Sequence, residues 1–204
     1  LDAGSWFSSA FAGEGVPTLD EVLAGVEGRV LLNVEIKAEA VERGIVDKVA
    51  AAIRSRRMTE EVIVSSFSPA ALEQMRSAAP EIRTAVLYNP DLDKGRDPVE
   101  VVRGVGASAF NVKRTRLTRA MLRSCRDAGI PVAVYTVDSP RRLRKVMERG
   151  VHAVFTNHPD RGLEVAREAS PGGGHAEPAP RPAASARSGT GKGSTAVGFA
   201  EGAP

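Results

Sequence analysis

Short apolar runs alternate along this chain with stretches in which apolar residues recur every third or fourth position. Runs of the first kind predict strands, and stretches of the second predict helices that bury one stripe. Strands are expected at 30–37, 62–67, 84–88, 109–113, 131–138 and 151–156. Val41, Ile45, Val49 and Ile53 mark a helix over 38–57. Ser68-Pro69 opens another, which carries Leu72 and Met75 inward, with serine as cap and proline in the first turn. A polar loop is expected at 89–98 and a short helix at 99–102. Thr118 caps a helix with the stripe Met121, Leu122 and Cys125, ending at Gly129. Ser139-Pro140 repeats the cap-and-proline start ahead of Leu143, Val146 and Met147, and Gly150 closes that helix. Asn157-His158-Pro159 then turns the chain into a last helix at 161–168. Upstream, 1–15 is irregular, with Trp6, Phe7 and Phe11 expected to pack in a loop. Thr18-Leu19-Asp20-Glu21 is a capping box for a short helix that stops near Gly25.

Strand and helix alternate about six times, an order that argues for parallel strands joined by right-handed crossovers. Two α/β architectures fit, an open doubly wound sheet and a (β/α)8 barrel. The open sheet usually carries a glycine-rich phosphate loop after an early strand; Gly104 and Gly106 lack that spacing. Polar residues cluster instead at strand ends: Glu35 and Lys37, Ser65 and Ser66, Thr136 and Asp138, Thr156 and Asn157. Barrels build their sites there, so a TIM barrel is the expected fold. A full barrel takes about 250 residues and eight strands, so this one is expected to lack its first two βα units.

Composition adds limits. The chain has 204 residues, 42% hydrophobic and 26% charged, with a net charge of +3, as in a globular domain with one sizeable core. From Ser170 onward Gly, Ala, Pro and Ser dominate, so 1–169 is expected as the barrel portion and 170–204 as a disordered tail. No apolar run approaches the ~20 residues that span a bilayer, so membrane insertion is not expected. No signal-like segment stands at the start, and a cytoplasmic location is the expectation. The chain opens on leucine, and a preceding segment is expected. The run Arg141, Arg142, Arg144, Lys145 reads as a solvated helix face, and no nucleic-acid partner is expected. The single cysteine, Cys125, lies on an apolar stripe and reads as a buried structural thiol.

The stretch Leu31-Leu32-Asn33-Val34-Glu35-Ile36-Lys37 carries the candidate chemistry. Leu32, Val34 and Ile36 fall on one side of a strand, and Asn33, Glu35 and Lys37 on the other. An amide, a carboxylate and an ammonium are costly to bury unpaired, so that face should meet water, a metal or a ligand.

An ordered set of motifs resembles the glycerophosphodiester phosphodiesterase family: Val16-Pro17-Thr18-Leu19-Asp20-Glu21-Val22-Leu23, Asn33-Val34-Glu35-Ile36-Lys37, Val62-Ile63-Val64-Ser65-Ser66-Phe67-Ser68-Pro69, Val134-Tyr135-Thr136-Val137-Asp138, and Gly150 through Pro159. The opening Leu1-Asp2-Ala3-Gly4-Ser5-Trp6-Phe7 adds to it. The resemblance implies a barrel that cleaves a small glycerophosphodiester to sn-glycerol 3-phosphate and an alcohol, with a divalent cation, Ca²⁺ or Mg²⁺. It implies Glu35 as a metal ligand, Lys37 against the phosphate, and Phe67 and Tyr135 on the substrate. A cation and a lysine would offset charge developing on the phosphoryl oxygens.

The chain departs from that pattern in what it lacks. The family's histidines, general acid and base, stand in a His-Arg-Gly motif and after the second strand, and a Glu-x-Asp pair supplies two more metal ligands; neither motif is present. His152, His158 and His175 do not stand in for them. The family usually has tryptophan at Tyr135 and asparagine at Asp138. The chain thus resembles the C-terminal two-thirds of the enzyme and is expected to be inactive alone. Two other readings stay open: a non-catalytic barrel that binds a phosphate ester, and a phosphodiesterase acting on lysophospholipids.

Overall fold

The computed structural model describes residues 2–37, 41 and 44–169. The tail expected at 170–204 lies outside the described residues, as do 38–40, 42 and 43 at the start of the helix expected over 38–57. Six strands, β1 (Leu32–Ile36), β2 (Val62–Ser66), β3 (Arg83–Leu87), β4 (Ala109–Lys113), β5 (Val132–Tyr135) and β6 (Ala153–Val154), pair in parallel in sequence order. Helices alternate with them: α1 (Leu19–Val26), α2 (Ile45–Ser55), α3 (Pro69–Ala78), α4 (Pro90–Asp93), α5 (Pro98–Gly104), α6 (Arg119–Asp127), α7 (Pro140–Met147) and α8 (Pro159–Ala169). The sheet curls into a half-barrel, and among the described residues β1 and β6 each pair on one side only.

Local chemistry sets the helix starts. Thr18 Oγ1 accepts from the Glu21 amide at 3.3 Å while Glu21 Oε2 accepts from the Thr18 amide at 2.7 Å, closing the capping box of α1. Ser68 and Thr118 cap α3 and α6 by accepting from Ala71 and Met121 at 3.3 and 3.1 Å. Ser139 stands at the cap of α7 but makes no capping bond there. The loop expected at 89–98 contains α4: Asn89 accepts from the Asp91 amide at 3.0 Å and Pro90 takes the first turn.

Strand parity divides the structure into two sides. Val62, Val64, Phe110, Val112, Val132 and Val134 face the helices and are buried, as are Val49, Ile53, Leu72, Met75, Cys125 and Leu143 opposite them. Asn33, Glu35, Ser65, Phe67, Ala85, Leu87, Asn111, Lys113 and Tyr135 take the alternate positions and line the concave side. The C-terminal strand ends are locked by Ser66, whose buried hydroxyl donates to the Ile36 carbonyl at 2.7 Å and accepts from the Ser68 amide at 3.0 Å. The last strand is shorter than expected, and His152 sits just before it, its Nδ1 accepting from the Val132 amide at 3.1 Å.

A further expectation is corrected. Trp6, Phe7 and Phe11 do not pack into the fold: they are 81%, 70% and 47% exposed. Asp2 explains this. Its carboxylate accepts from the Gly4, Ser5 and Gly13 amides and the Ser5 hydroxyl at 2.6 to 3.0 Å, and an antiparallel bridge joins Asp2 to Gly15. The loop thus gathers its backbone around Asp2 and leaves its rings outward, Trp6 meeting Phe7 edge-on at 5.8 Å and Phe7 meeting Phe11 at a tilt at 5.7 Å. These hydrogen bonds hold the Asp2 carboxyl well below the usual carboxylate range.

Candidate active site

The C-terminal ends of β1, β2, β3, β5 and β6 enclose a cavity of about 550 Å³. Asn33 and Glu35 come from β1, Ser65 and Phe67 from β2 and its exit, and Leu87 from β3. Tyr135, Thr136, Phe155, Thr156 and Asn157 close the other side. This is where a parallel barrel collects its functional loops. The alternation of the Asn33-Glu35-Lys37 face, legible in the sequence, is what delivers the polar groups to it.

Glu35 and Lys37 are paired: the Lys37 ammonium donates to Glu35 Oε1 at 2.6 Å. The lysine side chain is 68% exposed and the glutamate 32%, so the pair stands at the open end of the cavity. Asn33, one turn of the pleat deeper, donates from Nδ2 to Ser65 Oγ at 3.1 Å. Its Oδ1 is buried and has no partner among the described residues. A buried amide oxygen left without a donor is disfavoured by roughly 1–3 kcal/mol, so a proton donor or a cation there would be favoured. Glu35 and Asn33 Oδ1 are both hard oxygen donors, the kind that Ca²⁺ or Mg²⁺ takes. Two oxygens are fewer than the six or more such ions gather. Among the described residues no group of three His, Cys, Asp or Glu is placed to hold a metal. These residues therefore fit part of a cation site.

Opposite the carboxylate stands an aromatic wall. Tyr135 meets Phe67 edge-on at 6.4 Å and Phe155 edge-on at 6.3 Å. Burial, and then the nearby Glu35 carboxylate, raise the Tyr135 hydroxyl above its ordinary range, so it stays a neutral donor. The family resemblance points to Phe67 and Tyr135 at the site but not to Phe155. Phe155 lies within the Gly150–Pro159 motif, and its inward position is hidden because a strand as short as β6 has no readable alternation.

Asp138 does not enter the cavity. It clasps the loop after β6: Oδ1 accepts from the Asn157 amide at 2.8 Å and the Thr156 hydroxyl at 3.2 Å, and Oδ2 accepts from Asn157 Nδ2 at 3.1 Å. The Asn157 backbone bond chiefly lowers its pKa. Neither His152 nor His158 lines the cavity.

Comparison with known proteins agrees with this arrangement. The profile of the glycerophosphoryl diester phosphodiesterase family matches residues 1–161. The chain is 32% identical over 161 residues to the Bacillus subtilis (strain 168) protein YhdW, covering 78% of this chain and 66% of that one. It is 29% identical over 170 residues to a glycerophosphodiester phosphodiesterase of Caldanaerobacter subterraneus subsp. tengcongensis, with 82% and 69% covered. Among solved structures, a glycerophosphodiester phosphodiesterase from Agrobacterium tumefaciens str. C58 is similar with a TM-score of 0.66 and 28% identity, over 80% of this chain and 68% of that one. The chain therefore spans about two thirds of the relatives it matches, 66% and 69% of the two curated ones. Motifs, parallel half-barrel and profile coincide over the same residues: the chain belongs to the glycerophosphoryl diester phosphodiesterase family.

Proposed function

We propose that the protein containing this chain hydrolyses a glycerophosphodiester to sn-glycerol 3-phosphate and an alcohol. The observation that carries this reading is the paired Glu35 and Lys37 at the mouth of a cavity whose far wall is aromatic, in a member of this family. In this reading Lys37 turns from Glu35 to a phosphoryl oxygen and stabilises negative charge as it develops there. Glu35 and Asn33 Oδ1 contribute oxygens to a divalent cation, Ca²⁺ or Mg²⁺, completed by carboxylates outside the described residues. When bound, such an ion would polarise the phosphoryl group as a Lewis acid. Phe67, Tyr135 and Phe155 present apolar area to the carbon skeleton of the glycerol and exclude water from that side.

Among the described lining residues only Glu35 and Tyr135 are ionisable, and this reading uses the first on the cation and the second, held neutral by burial, against the substrate, so neither is left to move the reaction's protons. The reading therefore assigns proton transfer to histidines outside this chain, and expects this chain alone to release no glycerol 3-phosphate. The test is an enzyme-coupled assay of glycerol 3-phosphate with glycerophosphocholine as substrate, run on the natural protein. Release of that product supports the reading. Binding without turnover would favour a non-catalytic barrel, and release of lysophosphatidic acid from a lysophospholipid in preference would shift the substrate class.

A further inference from the structure

Positive charge is concentrated in one sector of the barrel. Residues 113–149 hold eleven Lys or Arg and three Asp or Glu, a net +8 in a chain of net +3, so the rest of the chain nets −5. The sector runs from the end of β4 through α6 and β5 to α7. Arg119 and Arg123 on α6 and Arg141, Arg142 and Lys145 on α7 are exposed. Among the described residues none of these side chains has a carboxylate partner. Arg126 and Arg144 are paired, with Asp127 at 3.6 Å and with Glu168 at 2.6 Å.

Two bonds show how the helices are turned. Ser124 Oγ donates to Asp97, the cap of α5, at 2.7 Å, so that flank of α6 faces α5. At about 100° per residue, Arg119 and Arg126 fall on the opposite flank, toward α7. Arg144 donates to Glu168 of α8 at 2.6 and 2.9 Å, and Arg142, on the opposite flank of α7, points toward α6. Arg123, Arg141 and Lys145 face outward, away from the buried stripes of the two helices. α6 packs on α5 and α7 on α8, and the two make little contact with each other. Cations thus face cations across a loose seam. They also stand where a helix dipole least favours them, since Arg119, Arg141 and Arg142 lie in first turns that hold no acidic residue. Neither feature serves folding, and an anionic partner offsets both.

We propose that the outer face of α6 and α7 docks on an anionic phospholipid surface. Lys and Arg on a helix face are drawn to the negative potential of such a leaflet, and arginine grips phosphates with paired bonds. The charge is spread over two side-by-side helices, a breadth that suits a flat partner. Neither helix carries an aromatic ring on which a base could stack, which disfavours a nucleic acid. Neither exposes a large apolar side chain, so the contact is adsorption and not insertion. The first turns of both helices follow the strand ends where the cavity opens, so docking there holds the cavity beside the lipid. The docking does not depend on the reading under Proposed function.

The test is co-sedimentation of the natural protein with vesicles of phosphatidylcholine alone, and of phosphatidylcholine and phosphatidylglycerol in equal parts. Binding is expected to the second only, and is lost at about 1 M salt, where the screening length falls to about 3 Å. In R119Q/R123Q/R142Q the affinity should fall about a hundredfold, roughly fivefold for each cation removed. K48Q/K94Q/R103Q removes the same charge from exposed positions elsewhere and should bind like wild type. Urea unfolding checks that both variants fold. Equal binding to the two vesicles, or binding to neither, overturns the docking face on the wild type alone. Unchanged binding by R119Q/R123Q/R142Q, or an equal loss in both variants, overturns it as well. Tighter binding to a DNA duplex than to the anionic vesicles at the same salt assigns the face to a nucleic acid and removes the proposal.

Discussion

Lys37 Nζ lies 2.6 Å from Glu35 Oε1, two positions along one face of β1, with both groups at the open end of an aromatic-walled cavity. A pair this exposed contributes little to stability, at most about 1 kcal/mol. Its cost to the β1 pattern is therefore hard to explain by folding and easy to explain by binding. Replacement of Lys37 by Met should leave the midpoint of urea unfolding nearly unchanged. Turnover of glycerophosphocholine should fall by about 10²–10³-fold, as for loss of one group aimed at developing charge. Parallel loss of stability and activity would make the pair a structural one.

Asp138 gives a pH prediction. Its folded pKa is depressed, so the clasp on Asn157 contributes stability above the ordinary aspartate value of about 3.9 and is lost as pH falls through the lower folded value. The Asn157 side-chain amide resonances should therefore hold steady as the pH is lowered to about 4, close to that ordinary value. Movement of those resonances at an ordinary aspartate pKa would show that the clasp is not formed. In Asp138→Ala the Thr156–Asn157 loop loses three acceptor contacts, and KM should rise more than kcat falls.

Cys125 is fully buried, and burial, helped by the Asp97 charge, pushes its thiol up to about 11. A thiol is reactive as thiolate. The native protein should resist a thiol reagent at neutral pH and react fully once unfolded. Prompt native labelling would contradict the burial of α6.

Phe110 is completely buried between β3, β5 and the helices and meets Tyr88 at 6.0 Å. Phe110→Ala should destabilise by about 3–5 kcal/mol, read from denaturant unfolding. A change below about 1 kcal/mol, far under the usual cavity cost, would place the residue outside the core.

The periodic pattern makes the order of strands and helices readable, because strands covered on both faces read as apolar runs and helices as stripes. It makes the Asn33-Glu35-Lys37 face readable too, since β1 alternates polar and apolar residues cleanly, as β4 does through Phe110-Asn111-Val112-Lys113. Continuity hides the concave side of β5: Tyr135 shares a face with Lys113 by parity, but nothing in the apolar run Val132-Ala133-Val134-Tyr135 says which face is inward. The Asn89-Pro90 start of α4 is a cap-and-proline signal inside a segment whose polarity reads as loop. Trp6, Phe7 and Phe11 read as packed because aromatics usually are. Their exposure goes with a loop closed on Asp2, whose bond to Gly13 spans eleven positions, too far for a local pattern to reveal.

Whether Glu35 belongs to a phosphodiesterase centre is read from glycerol 3-phosphate release by the natural protein and by its Glu35→Gln variant, each titrated with Ca²⁺ and Mg²⁺ after chelation. The expected result is cation-dependent release by the wild type and near loss in the variant, with unfolding unchanged. Full activity in Glu35→Gln, or release that ignores the cation, would contradict it.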